Sequence, residues 1–262
     1  MIPRANIIEW REHAPWRNDA QVEQDLILSR IIIELFSEPF LAANLLFRGG
    51  TAIHKLFLAP AVRYSEDIDL VQKSAVPIGE VMGRIRELFN PLLGTPRTKQ
   101  KQGSVVFAYK TESELPPVVP MRIKIEINTR EHFNVFDTLS MSYKIESRWF
   151  SGESPVQTYR LEELLGTKLR ALYQRKKGRD LFDLWYGIEH GNVDLEKIIH
   201  SFRKYMQYMN LTVSRREFQQ NLQLKIMDPN FTGDIAPIIR DGTSFTLEEA
   251  YDKVVSNLLE RL

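Results

Sequence analysis

The chain has 262 residues, 43% hydrophobic and 26% charged, and its 35 Lys and Arg against 34 Asp and Glu leave a formal net charge of +1. Such a length and composition suit one large or two small globular domains, and a near-zero charge leaves any polyanionic partner to a local basic patch. Cysteine is absent, which excludes disulfides, thiolate metal sites and thiol nucleophiles and fits a reducing compartment.

The opening MIPRANIIEWREH carries charge where a secretory leader needs an apolar run. The most apolar stretch, 27–47, is interrupted by Arg30, Glu34, Glu38 and Pro39, whereas a membrane span needs about 20 mostly apolar residues. The expectation is a soluble, cytoplasmic protein with no membrane partner, acting as a monomer.

Residues 19–38 repeat apolar side chains at helical spacing, with Val22, Leu26, Ile27, Ile31 and Leu35 on one stripe. Pro39 stops or bends that helix. Leu45–Arg48 then reads as a short strand leading into Gly49-Gly50, and 51–58 as a helix with Thr51 near its start. Residues 65–72, 105–109 and 121–129 alternate as strands, and three prolines make 112–120 a loop. Beyond about residue 157 the periodicity is helical throughout: 159–174, 179–189, 193–209, 214–227 and 245–262, the last with Thr246 and Glu249 spaced as a capping box. There is no internal repeat. The domain expectation is a mixed α/β region over 1–157 and a helical lobe over 158–262.

Two features carry chemistry. Gly49-Gly50 between a strand and a helix lets the backbone approach a ligand closely, and the following N–H groups suit phosphate. Read alone, it is a plain strand-to-helix turn. Asp67 and Asp69 are two apart on a strand, so both carboxylates leave the same face. Carboxylates so placed share hard cations such as Mg²⁺, and paired cations stabilise both attacking and leaving oxygens in phosphoryl displacement. A solvated acidic edge is the simpler alternative. In RIKIEIN, Ile123, Ile125 and Ile127 line one face and Lys124, Glu126 and Asn128 the other. Glu126 is therefore a candidate third carboxylate or general base, or a surface glutamate paired with Lys124.

A third feature is cationic. From Lys168 to Arg179 there are six basic residues and no acidic one, on a helix whose leucines at 161, 164, 165, 169 and 172 face inward. Such a surface neutralises a triphosphate or an RNA backbone, unless it is simply a solvated helix face. Arg179-Asp180-Leu181-Phe182-Asp183 opens the next helix, where Asp180 is placed to cap. The five histidines do not form a spaced metal set, and His54 reads as a packed helix residue.

The run FRGGTAIHKLF followed by RYSEDIDL resembles the signature of the DNA polymerase beta-type nucleotidyltransferases, and more closely that of the AbiEii toxins, which include the MenT toxins. Tyr64 stands where that pattern carries Phe, and the gap between the glycine turn and the aspartates is longer than in most branches of the superfamily. The resemblance spans roughly 40–190 and implies an α+β nucleotidyltransferase fold, a mixed sheet with helices followed by a helical C-terminal lobe. It implies a metal-dependent enzyme that moves a nucleotide from a nucleoside triphosphate, with Mg²⁺, or Mn²⁺ in its place, on Asp67 and Asp69. Gly49, Gly50, Thr51, Ser65 and Lys168 would hold the triphosphate, with Asp180, or else Asp183, in support and Glu126 as base. By the same resemblance the acceptor is the 3′ end of tRNA, the nucleotide a pyrimidine, the consequence a block of aminoacylation and translation, and the partner an AbiEi-type antitoxin. A small-molecule or protein acceptor keeps the chemistry and changes the target; a nucleotide-binding regulator without transfer is the non-enzymatic alternative.

Overall fold

A computed structural model describes residues 2–262. The chain divides into two compact units: one of residues up to Leu56 with Tyr64–Asn134 and Thr138–Tyr159, the other of Phe57–Arg63, Val135–Asp137 and Arg160–Leu262.

The first unit runs α1 (Arg4–Trp10), α2 (Asp19–Ser37), α3 (Pro39–Asn44), β1 (Leu45–Arg48), α4 (Gly49–Ala52), β2 (Asp67–Gln72), α5 (Gly79–Leu93), β3 (Arg97–Lys101), β4 (Ser104–Glu112), β5 (Pro120–Asn128), β6 (Leu139–Glu146) and β7 (Ser151–Thr158). The strands form one seven-stranded sheet in the order β3-β4-β5-β2-β1-β7-β6. It is mixed: β2 runs parallel to β5 and β1 parallel to β7, while the other neighbours are antiparallel.

Alternation decides which face is buried. Ile123, Ile125 and Ile127 on β5 are fully buried. They sit in register with Tyr109, Phe107 and Val105 of β4, and Ile125 and Ile127 also with Ile68 and Leu70 of β2. Period-2 patterning thus collects the large apolar side chains on one face, where α2 and α5 pack on the sheet and on each other. The other face carries Asp67, Asp69, Lys124 and Glu126. At the strand junction, Thr158 on β7 donates to the Phe47 carbonyl of β1 at 2.8 Å.

The helix expected over 51–58 begins earlier, at Gly49, and after Ala52 winds as a π-helix over Ile53–Phe57. Pro39 ends α2 and also starts α3, because proline is preorganised for the first helical turn. Tryptophans 10 and 16 of the N-terminal segment both donate to Asp25 of α2, and Lys55 approaches the same carboxylate at 3.0 Å.

The second unit is helical: α6 (Leu161–Gln174), α7 (Gly178–His190), α8 (Leu195–Tyr208), α9 (Arg215–Ile226), α10 (Pro229–Thr232) and α11 (Leu247–Asn257). Ser214 and Glu217 cap α9 reciprocally, and Thr246 accepts from Glu249 N–H at the start of α11. The buried Glu163 accepts from the N–H groups of Val135 and Phe136 and from the Tyr205 hydroxyl, which ties three segments together. The α6–α8 contact is close because α6 presents Gly166: an added Cβ would lie 2.5 Å from Ser201 Cβ and 2.9 Å from the Ile198 carbonyl oxygen. Gly166→Ala is therefore expected to cost about 1–3 kcal/mol by overpacking, read as a lower urea midpoint with an unchanged m-value.

Candidate functional site

The glycine turn and the acidic strand meet. Gly49 has φ +80°, a conformation L side chains rarely adopt. A Cβ there would collide with the Asp69 carboxylate, and would lie 2.9 Å from both its Cβ and Cγ. Only glycine permits the backbone to pass this close. The contact follows from the β1–β2 pairing, in which Arg48 sits opposite Asp69.

Thr51, buried at 1% exposure, closes the same corner. Its hydroxyl donates to the Asp67 carbonyl at 2.6 Å and lies 2.7 Å from Ser65 Oγ. Thr51 and Ser65 therefore bind the turn to the start of β2. Gly50 is buried directly behind Gly49. His54 is buried too, in keeping with a packed helix residue.

Asp67 and Asp69 both leave the sheet face opposite the isoleucine core, in register with Lys124 and Glu126 of β5. The Lys124 ammonium lies 2.8 Å from Asp67 Oδ2 and 3.1 Å from Glu126 Oε2, so Glu126 is both Lys124's partner and Asp69's cross-strand neighbour. Burial, and then the charge of Asp69, push the Asp67 carboxyl above its ordinary pKa, against the opposing Lys124 hydrogen bond. On the same face Arg48 pairs with the buried Glu131 at 2.7 Å.

The donors of Asp67 and Asp69 are oxygen alone, as a hard divalent cation requires. Two like charges on one strand face, one of them already resisting ionisation, gain from a cation between them. The pair fits a Mg²⁺-type ion. Among the described residues no group of three or more His, Asp or Glu is placed to hold a metal ion, so Glu126 does not join Asp67 and Asp69 as the third carboxylate ligand expected from the sequence, and any further ligands would come from substrate phosphates and water, the usual habit of Mg²⁺.

In the helical unit, Lys168 is buried at 7% exposure. Its Nζ lies 3.1 Å from Asp180 Oδ1 and 2.8 Å from Asp183 Oδ2. Arg175 donates twice to Asp180, at 2.7 and 2.9 Å, and the buried Arg63 twice to Asp183, at 2.5 and 2.7 Å. Burial alone would raise the Asp180 pKa, but the Lys168 and Arg175 charges hold it below the ordinary value. Arg63 opens the RYSEDIDL motif, but the motif assigns it no role: only the fold places its guanidinium on Asp183, the second acid of Arg-Asp-Leu-Phe-Asp.

The basic run expected to form an open cationic face is largely answered by its own unit. Lys176 pairs with Asp228 at 3.1 Å, Lys177 with Asp234 at 3.3 Å and Arg179 with Asp234 at 3.2 Å. Arg170 lies over the Tyr205 ring. The buried Lys225 donates to the Leu172 and Tyr173 carbonyls at the end of α6, and burial lowers its pKa to about 8.

Two substitutions probe these arrangements. Gly49→Ala is expected to displace the Asp69 carboxylate and to cost about 1–2 kcal/mol in left-handed strain; a structure of the variant and its unfolding midpoint check both. Asp183→Ala removes the carboxylate that the buried Arg63 and Lys168 share and is expected to cost about 3–5 kcal/mol, more than Asp180→Ala, whose partner Arg175 is exposed, measured by denaturant unfolding.

Residues 30–257 match the family model described as nucleotidyl transferase AbiEii toxin, type IV TA system. Among solved structures, the chain is similar to MenT4, a nucleotidyltransferase toxin from Mycobacterium tuberculosis H37Rv, at TM-score 0.64 and 15% identity, covering 100% of this chain and 91% of that one. It is also similar to JHP933 from Helicobacter pylori, at TM-score 0.54 and 17% identity, covering 93% of each chain. No curated protein matches in sequence. The chain belongs to the AbiEii family of nucleotidyltransferase toxins of type IV toxin–antitoxin systems.

Proposed function

We propose that this nucleotidyltransferase moves a nucleotide, a pyrimidine, from a nucleoside triphosphate to the 3′-terminal hydroxyl of tRNA. A tRNA so blocked cannot be aminoacylated, and translation stops. The observation that carries the reading is the contact between the Gly49 turn and Asp69: a backbone able to approach phosphates lies directly against a pair of carboxylates suited to a divalent cation.

Asp67 and Asp69 would hold Mg²⁺ or Mn²⁺. When bound, the ion supplies the positive charge that an α-phosphoryl group and a departing pyrophosphate need. The chain's own groups do the rest. Gly49 and Gly50 admit the triphosphate to the backbone, and Thr51 and Ser65 fix that backbone to β2. The acceptor oxygen bonds to the α-phosphorus, the bond to the pyrophosphate oxygen breaks, and the hydroxyl proton passes to Glu126, whose place beside Asp69 suits a general base. Lys168, held by Asp180 and Asp183, is the cation assigned to the triphosphate. An AbiEi-type antitoxin is the partner, and the cytoplasm the place of action.

Incubation of the protein and tRNA with each of the four α-labelled nucleoside triphosphates tests the reading. Label is expected in tRNA with CTP or UTP. It is expected to fall by about 100-fold in Gly49→Ala, through misplacement of the acid pair, and below detection in Asp69→Asn. Label confined to protein or to small molecules, or pyrophosphate release that survives Asp69→Asn, overturns it.

A further inference from the structure

The sheet face that bears Asp67 and Asp69 does not end at β5. Cross-strand pairs put side chains on the same face, so the register traces rows from the carboxylates to the sheet edge. Asp69 pairs with Glu126, Glu126 with Val106, and Val106 with Lys99. Asp67 pairs with Lys124, Lys124 with Ala108, and Ala108 with Arg97. The row beyond passes from Asn128 through Ser104 to Lys101. Each row leaves the acidic strand, crosses a small or short side chain on β4, and ends on a cation of β3. Lys110 and Arg122, paired with each other across β4 and β5, belong to the same face.

All five of these cations are exposed, and among the described residues none is engaged in an ion pair or hydrogen bond through its side chain. Glu112, at the end of β4, is the acid on this stretch of β3 and β4. The contrast with residues 175–179 is physical: those cations already have carboxylate partners, whereas the β3 cations still hold their counterions. Binding a polyanion releases those counterions, which is the main source of nucleic-acid affinity.

We propose that the exposed face of β3 and β4, through Arg97, Lys99 and Lys101, holds the phosphate backbone of the RNA acceptor and leads its 3′ end along the sheet to Asp67 and Asp69. This rests on the RNA acceptor proposed above. The dimensions suit it. Three strand spacings separate Asp69 from Lys99, about 14 Å, and the β3 cations repeat every second residue, at roughly 6.7 Å. The terminal nucleotide then lies at the carboxylates while phosphates a few nucleotides upstream lie on β3. Between them β4 contributes only the short side chains of Ser104, Val106 and Ala108.

The test uses the full chain, tRNA labelled with fluorescein at its 5′ end, and the triple variant Arg97→Gln, Lys99→Gln, Lys101→Gln. All three positions lie on an exposed edge strand, so folding is expected to be unchanged, checked by the unfolding midpoint. Anisotropy titrations across salt concentrations are expected to show on the order of tenfold weaker binding and a log–log salt slope shallower by about 2, given three contacts at about 0.7 each for single strands. In the transfer assay the KM for tRNA should rise by a similar factor, with kcat and the KM for nucleotide unchanged. The control, Lys176→Gln with Lys177→Gln, should move neither the slope nor the KM for tRNA. Wild-type protein that binds no tRNA, a triple variant with unchanged affinity and slope, or a control as damaging as the triple variant each overturns the inference. tRNA binding that the triple variant weakens, without any transfer to tRNA, would overturn the acceptor proposed above and with it the delivery of a 3′ end, leaving β3 as an RNA-binding edge, whereas transfer to tRNA that the triple variant leaves unchanged overturns the β3 assignment alone, so the two failures are distinguishable.

Discussion

The arrangement of the first unit depends on one close approach, the backbone of Gly49 against the carboxylate of Asp69. Any side chain at residue 49 would need the space that the acid occupies, and a left-handed φ besides. Everything near it is organised to hold this corner. The β1–β2 ladder sets Arg48 opposite Asp69, Thr51 and Ser65 fasten the turn to β2, and the isoleucine face of β5 anchors the parallel strand that sets Glu126 beside Asp69. The apolar face therefore fixes position, and the opposite face is left to bring like charges together. That division is what alternation in a half-buried strand provides.

Elements whose periodicity was driven by burial were legible from the chain alone. Leu45–Arg48, the DIDLVQ strand and RIKIEIN all bury one face or both, and their apolar spacing announced them. The helices after residue 160 were legible for the same reason. The strands without an apolar alternation bury few apolar side chains. RTKQK of β3 has no apolar residue at all and pairs on one side only, and the other edge strand, LSMSYKIE of β6, is mostly exposed or half-buried. SGESPVQT of β7 carries both Gly152 and Pro155, residues that argue against a strand unless a neighbour supplies the ladder. α5 was also unassigned, although Val81, Ile85 and Phe89 bury one stripe; Pro91 and two glycines mask it.

The same logic separates the legible part of the site from the hidden part. Asp67 and Asp69 are close in sequence, so strand geometry alone places them on one face. The adjacency of Glu126 requires knowing that β2 pairs with β5 in parallel, and the Arg63–Asp183 pair joins residues 120 positions apart. No local pattern encodes such partners. The pairing of Lys176 and Lys177 with Asp228 and Asp234 is hidden for the same reason: a run of basic residues looks open until its long-range carboxylates are known.

The chain consequently holds positive charge in two physical states. In the helical unit, Lys168, Arg63 and Arg175 surround two fully buried aspartates. Removing one partner leaves a charge in a poorly polarisable interior, so these residues are bound first to the stability of their own lobe. A ligand phosphate that draws on Lys168 must compete with Asp180 and Asp183 for it. On the sheet, Arg97, Lys99 and Lys101 are solvated, and a phosphate competes only with water and small ions. Exposed pairs such as Lys176 with Asp228 fall between the two, since ion pairs in water are worth at most about 1 kcal/mol and reopen readily. Net charge near zero thus conceals a directional field, with carboxylates at the centre of the sheet face and unneutralised cations at its β3 edge. A polyanion is drawn to that edge and repelled by Asp67 and Asp69 until a cation offsets them. On the reading proposed above, a divalent cation at Asp67 and Asp69 is what offsets that repulsion, so the acceptor end reaches the carboxylates only once the cation is in place.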